Sequence, residues 1–154
     1  MRPGELLGLR WADVQGNTVN VRRSINIHGE ETQGKNQNAI RSFVLSGLAR
    51  AVLEQQRAVT GTRESVFEIS SELYYWKRWQ AYCKANGIDR ISVYELRHTF
   101  VSVVKTLPEG EIKELVGHSQ NMDTLGQYSH ALTGDAENTA QAVNAAFLKL
   151  LENG

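Results

Sequence analysis

The sequence predicts an α+β fold that is mostly helical, with a small antiparallel β-sheet near its N-terminal end. Three observations predict it. Between Thr18 and Leu45 apolar residues alternate in two stretches, separated by a polar segment holding two glycines. From Ser46 onward the apolar spacing lengthens to three and four, the repeat of one helix face. Ser46, Ser71 and Ser92 each stand where such a helical run begins, and serine hydroxyls satisfy the unpaired amides of a first helical turn. The 154 residues suit one domain with its own core, and 41% hydrophobic against 22% charged residues places the chain with globular proteins rather than disordered ones.

Taken in order, Gly4–Trp11 carries Leu6, Leu7 and Leu9 around a short helix with Glu5 in its first turn. Asp13 and Gly16-Asn17 signal turns. Thr18–Ile27 places Val19, Val21, Ile25 and Ile27 at alternate positions, interrupted at Arg23, and predicts a strand. His28–Asn38 reads as the turn into a second strand, Ile40–Leu45, and the two form a hairpin. Ser46 caps a helix to about Val59, which Thr60-Gly61-Thr62 breaks. Ser70-Ser71 opens the next, which carries Leu73, Trp76, Trp79 and Tyr82 spaced by three; Trp76, Trp79 and Tyr82 are read as core rather than as a base-stacking platform, and Asn86-Gly87 stops the helix. Ser92 and Glu95 make a capping box for a helix from Val93 towards Lys105. Pro108 starts a short helix through Val116, ended by Gly117; Asn121 or Asp123 starts another. The last runs from about Asp135 to Leu151, with Val143, Phe147, Leu150 and Leu151 on one stripe.

Several functional classes are excluded. No apolar run approaches the ~18 residues of a membrane span, and Met1 is followed by Arg-Pro-Gly-Glu, not by the apolar core of a signal peptide. The lone Cys83 cannot form an internal disulfide, which fits a reducing, cytoplasmic location. Gly29–Lys35 reads G-x-x-x-x-G-K, yet Asn36 stands where a phosphate-binding loop needs Ser or Thr. Glu30 and Glu31 would repel phosphates, and no helix follows. The histidines, at 28, 98, 118 and 130, have no metal-ligand spacing. No metal, nucleotide or other cofactor is therefore expected. The formal net charge is zero, but residues 1–63 hold nine Lys/Arg against five Asp/Glu, net +4, while residues 64–154 hold eight against twelve, net −4. A locally basic surface can bind phosphates on a neutral protein.

Four local patterns remain: Arg2-Pro3-Gly4-Glu5-Leu6-Leu7; Gly34-Lys35; Tyr94-Glu95-Leu96-Arg97-His98-Thr99-Phe100; and Leu115-Val116-Gly117-His118 followed by Tyr128-Ser129-His130. Their order is the informative feature: Arg, a hairpin Lys, Arg in L-R-H-T, Gly-His, then Tyr ten residues on. In this order, over nearly the whole chain, the sequence resembles the catalytic domain of the tyrosine recombinases of the phage-integrase type. The resemblance implies the family's helical catalytic fold with its small sheet. It implies Tyr128 as a nucleophile that forms a covalent 3′-phosphotyrosyl link, with Arg2, Arg97 and His118 on the non-bridging phosphate oxygens. It implies Lys35 as the acid that protonates the departing 5′ oxygen. Arginine suits the phosphate because its planar fork is permanently charged and donates two parallel hydrogen bonds. Glu5 becomes a supporting residue that orients an active-site side chain. Many members carry His at the position of Tyr94; a phenol donates a hydrogen bond but does not shuttle protons near neutral pH, so Tyr94 is carried over only as a phosphate-contacting or supporting group.

Other readings of the same residues stand beside this one. Arg97 alone reads as a buried arginine paired with Glu95 or Glu5. His98 is read as a core histidine that also supports the site, and His130 as a helix-end residue or a second polar contact near Tyr128. The C-terminal apolar stripe suits either a neighbouring protomer or the chain's own domain.

The expected unit is thus a single catalytic domain over residues 1–154, with the family's core-binding and arm-binding domains absent from this chain. The expected partners are double-stranded DNA and other protomers in a synaptic tetramer, without membrane or nucleotide. The expected function is site-specific recombination of a mobile element, by integration or excision. The alternatives are a catalytically inert DNA-binding or accessory module that keeps the fold, and a nicking–closing enzyme of the type IB topoisomerase kind.

Overall fold

A computed structural model of the protein describes residues 1–32, 40–117 and 133–153. It is mostly helical with a small antiparallel sheet, as the sequence predicts. Helix α1, Pro3–Leu7, begins on a proline, which fits a first helical position because its missing N–H would have no partner there. A 3₁₀ turn at Trp11–Asp13 follows. Strands β1 (Val14–Gln15), β2 (Thr18–Val21) and β5 (Arg41–Val44) form an antiparallel sheet in the order β1-β2-β5, with Val19 opposite Phe43 and Val21 opposite Arg41. β1 has only two residues, too few for alternation to reveal; Gly16, at φ +58°, makes the turn that joins it to β2.

The single strand expected over Thr18–Ile27 is divided. After Val21 the chain leaves the sheet, and β3 (Ser24–Ile25) pairs with β4 (Glu31–Thr32) in a separate ribbon. The division falls at Arg23, whose guanidinium pairs with the buried Asp13 carboxylate and donates to the Gly8 carbonyl at 3.2 Å. A buried carboxylate needs such a partner, and meeting it takes Arg23 out of the ladder. Arg10 bonds Glu31 at 2.7 Å and so fastens the ribbon to the 3₁₀ turn.

The helices are α2 (Gly47–Thr60), α3 (Glu72–Ala85), α4 (Val93–Val103), α5 (Glu109–Val116) and α6 (Thr133–Glu152). Ser46, Ser71 and Ser92 cap α2, α3 and α4 as expected, and Ser92 and Glu95 form the capping box. Leu9, Val19, Val21 and Val66 centre the core, with Trp11, Phe43, Leu45, Leu53 and Phe67 packed around them.

Two expectations need correction. The α3 aromatics read as core are not buried: Trp76 and Tyr82 are exposed, Trp79 is half-buried, and Cys83 is that helix's buried residue. A helix turns about 100° per residue, so residues spaced strictly by three fall about 60° behind at each step and wind around the helix instead of sharing one face. Trp79 donates to the Ile91 carbonyl at 2.9 Å and stacks with Tyr82. The α6 stripe is likewise shorter than expected: Val143 is buried and Phe147 stacks on Phe100, but Leu150 and Leu151 are exposed.

Helix α6 packs on its own domain, against β5, α2 and α4. Asn144 anchors it by accepting the Leu48 amide at 2.9 Å, in the first turn of α2. Asn144→Ala leaves that amide unpaired and is expected to cost about 1 kcal/mol, read as a lowered midpoint in thermal melting.

Candidate active site

The site begins with one carboxylate. Glu5 is third in α1, and its Oε2 accepts the backbone amide of Arg2 at 2.7 Å, closing the helix start. The same carboxylate binds two guanidiniums: Arg2 Nη1 reaches Oε1 at 2.9 Å, and Arg41 reaches Oε1 at 3.1 Å and Oε2 at 2.8 Å. Glu5 is 4% exposed and the Arg41 side chain 7%. Burial pushes the Glu5 pKa up, but the Arg41 and Arg2 hydrogen bonds and the Arg41 charge outweigh it and hold it at about 2.

The second component is the end of α5. Gly117 closes this helix in the left-handed region, at φ +66° and ψ +48°. The last carbonyls of a helix have no internal partner and carry the negative end of its dipole, so they attract cations. Here three consecutive carbonyls each take a different arginine. Arg41 Nε donates to Leu115 at 3.2 Å, Arg97 Nη2 to Val116 at 2.6 Å, and Arg2 Nη2 to Gly117 at 3.0 Å. Residues 2, 41 and 97, from the N-cap of α1, from β5 and from α4, are thereby gathered at one point.

The resulting cluster is crowded with positive charge. The Arg97 pKa is lowered, by burial first and then by the neighbouring Arg2 charge, with Arg41 adding to it against Glu5. Arg97 Nη1 is buried and has no hydrogen-bond partner among the described residues. Arg2 stays 39% exposed at the side chain. Both arginines line one largely apolar cavity of about 500 Å³, together with Leu6, Phe43, Phe100 and Phe147. An unpaired buried donor beside a second, half-exposed guanidinium is a place where an anion with several acceptor oxygens fits.

Comparison with known proteins agrees with the order of motifs. The model of the phage integrase family matches residues 1–134. The chain belongs to the phage integrase family. Its members are tyrosine recombinases, and the family carries site-specific DNA recombination in general, DNA binding and multimeric recombinase assemblies. No curated protein matches the chain. Among the described residues, no helix is long and apolar enough to cross a membrane.

Of the residues singled out in the sequence, Arg2 bonds Glu5, and Arg2 and Arg97 meet on adjacent carbonyls at the end of α5. Tyr94, on α4, is 48% exposed and its hydroxyl lies within electrostatic reach of Arg97. Arg97 does not pair with Glu95, whose carboxylate accepts the Ser92 amide in the capping box. His98 is exposed rather than buried in the core: one helical step from Arg97, it faces the groove between α4 and α6 that Ile91, Thr99 and Lys149 also line. Lys35, His118, Tyr128 and His130 lie outside the described residues. His118 follows Gly117 directly in the chain.

Arg41 was not singled out by the sequence. The signal for it was present. In a strand through residues 41, 43 and 45, Arg41 is in phase with Phe43 and Leu45, which pack against the core. A lone arginine on an apolar strand face requires a buried acid, and Glu5, inside the leucine-rich first helix, was the candidate.

Proposed function

We propose that this domain cleaves and rejoins double-stranded DNA as the catalytic part of a site-specific recombinase of a mobile element, with Tyr128 as the nucleophile. The observation that carries the reading is the gathering of Arg2 and Arg97 on adjacent carbonyls at the end of α5, with one Arg97 donor unpaired among the described residues. The phosphodiester would lie against these two guanidiniums, which neutralise charge on its non-bridging oxygens as it builds up in the transition state. His118, next in the chain after the anchoring Gly117, would donate to the same oxygens.

The phenolic oxygen of Tyr128 attacks phosphorus and its proton passes to water. The bond to the 5′ oxygen breaks, and that oxygen leaves with the electron pair and takes a proton from Lys35. The 3′-phosphotyrosyl bond conserves the energy of the one broken, so a 5′-hydroxyl from a partner strand reverses the step and joins DNA without ATP. Other protomers supply that strand in a synaptic tetramer. Tyr94 contributes a hydrogen bond through its hydroxyl.

The test is covalent trapping on a nicked duplex pool randomised around the nick, in which the fragment 3′ of the cut diffuses away. Wild type is expected to give an adduct of protein plus DNA on a denaturing gel, and Tyr128→Phe none. No adduct from the wild-type chain, alone or joined to a core-binding domain, overturns the reading in favour of an inert DNA-binding module.

A further inference from the structure

Arg41 is more deeply buried than Arg2 and holds both oxygens of Glu5. Its guanidinium also covers Gly117, where a β-carbon would come within 2.6 Å of Nη1. Arg2 and Arg41 compete for the same Glu5 oxygen, Oε1, at 2.9 and 3.1 Å. One carboxylate is thus shared between two cations, and Arg97 stands beside them as a third. Counting these four groups alone, three positive charges face one negative, a balance of +2. Without Arg41, Glu5 would belong wholly to Arg2, and the balance would fall to +1.

We infer that Arg41 is a positioning residue of the anion site: it takes up the charge of Glu5, so that Glu5 orients Arg2 without cancelling the charge that Arg2 presents to a phosphate. The inference rests on the proposed role of Arg2 and Arg97 as the phosphate contacts. Its physical content is that the charge of Arg41, more than its shape, is what the site requires. Glu5 helps fix Arg2 at the start of α1, where the side chain is half-exposed and its other hydrogen bond goes to the Gly117 carbonyl. A buried carboxylate placed there for orientation would by itself weaken anion binding, and a second cation is the remedy.

Binding of inorganic phosphate to the full chain, measured by isothermal titration, reads the cluster without any chemistry at Tyr128. Arg41→Gln removes one unit of charge a few ångströms from the anion and is expected to weaken phosphate binding about tenfold. Arg41→Lys keeps the charge and loses the fork; it is expected to stay within about threefold of wild type. The double variant Glu5→Gln with Arg41→Gln restores the balance to +2 and is expected to recover binding to within about threefold of wild type. A purely structural role would make the double variant no better than Arg41→Gln, and Arg41→Lys no better either.

Either of those results overturns the inference, as does wild-type chain that binds no phosphate. Circular dichroism establishes that each variant is folded; should Arg41→Gln fail to fold, wild-type-like binding by both Arg41→Lys and the double variant supports the inference, and loss in either overturns it. Trapping of the wild-type chain on the nicked duplex separates the two readings. An adduct without the expected order of phosphate affinities defeats only the role of Arg41, whereas the expected order without an adduct defeats the strand-cleavage chemistry.

Discussion

Gly117→Val is expected to lower stability by about 3 kcal/mol and to abolish adduct formation on nicked DNA. Gly117 sits at φ +66°, where an L-residue pays about 1–2 kcal/mol and a β-branched one more. Its missing β-carbon also leaves room that the Arg41 guanidinium fills, at 2.6 Å from Nη1 and 2.9 Å from Cζ. Arg41 is tethered by Glu5 and the Leu115 carbonyl, so it cannot swing away without breaking buried bonds. For a domain of this size about 3 kcal/mol corresponds to a fall of roughly 6–12 °C in melting temperature. Differential scanning calorimetry checks the first part and the trapping gel the second. A variant that melts within about 2 °C of wild type would show that α5 can end without the left-handed residue.

Glu5→Ala is expected to be the most damaging single change, at about 3–5 kcal/mol, because it strands the buried Arg41 guanidinium without a counter-charge. The same carboxylate gives the wild-type protein an acid-sensitive component of stability. Its pKa is 4.5 in the ordinary state and about 2 in the fold. A depressed carboxylate contributes fully above the unfolded value and loses its contribution as the pH falls towards the folded one. Stability on the order of 3 kcal/mol is therefore present above about pH 4.5 and lost progressively between pH 4.5 and 2. Urea denaturation at a series of pH values measures it; Glu5→Ala should flatten that part of the curve. An unchanged slope in the variant would mean that Glu5 is not the group that titrates.

Much of this was legible in the residues. Serine caps and the Gly117 stop marked three helix starts and one helix end within about two residues, because capping is a local interaction between a side chain and its own first turn. Arg2, Glu5 and Arg97 were legible through the order of their motifs. What alternation and spacing did not reveal lay in long-range contacts. The break at Arg23 depends on Asp13, ten residues earlier, and the burial of Arg41 depends on Glu5, thirty-six residues away. The exposed aromatic surface of α3 was misread because a spacing of three looks helical without defining a single face. His98 was read as a core histidine, but adjacent helical positions point about 100° apart, and His98 is exposed beside the half-buried Arg97.

Arg2, Arg41 and Arg97 share an eight-residue helix end as their common anchor, and Arg2 and Arg41 share a carboxylate as well. Their energetic effects are consequently not separable. Removing any one loosens the mooring of the others, so the losses measured for single replacements will sum to more than the cluster is worth as a whole. The cluster is in that sense one thermodynamic unit distributed over three distant stretches of chain.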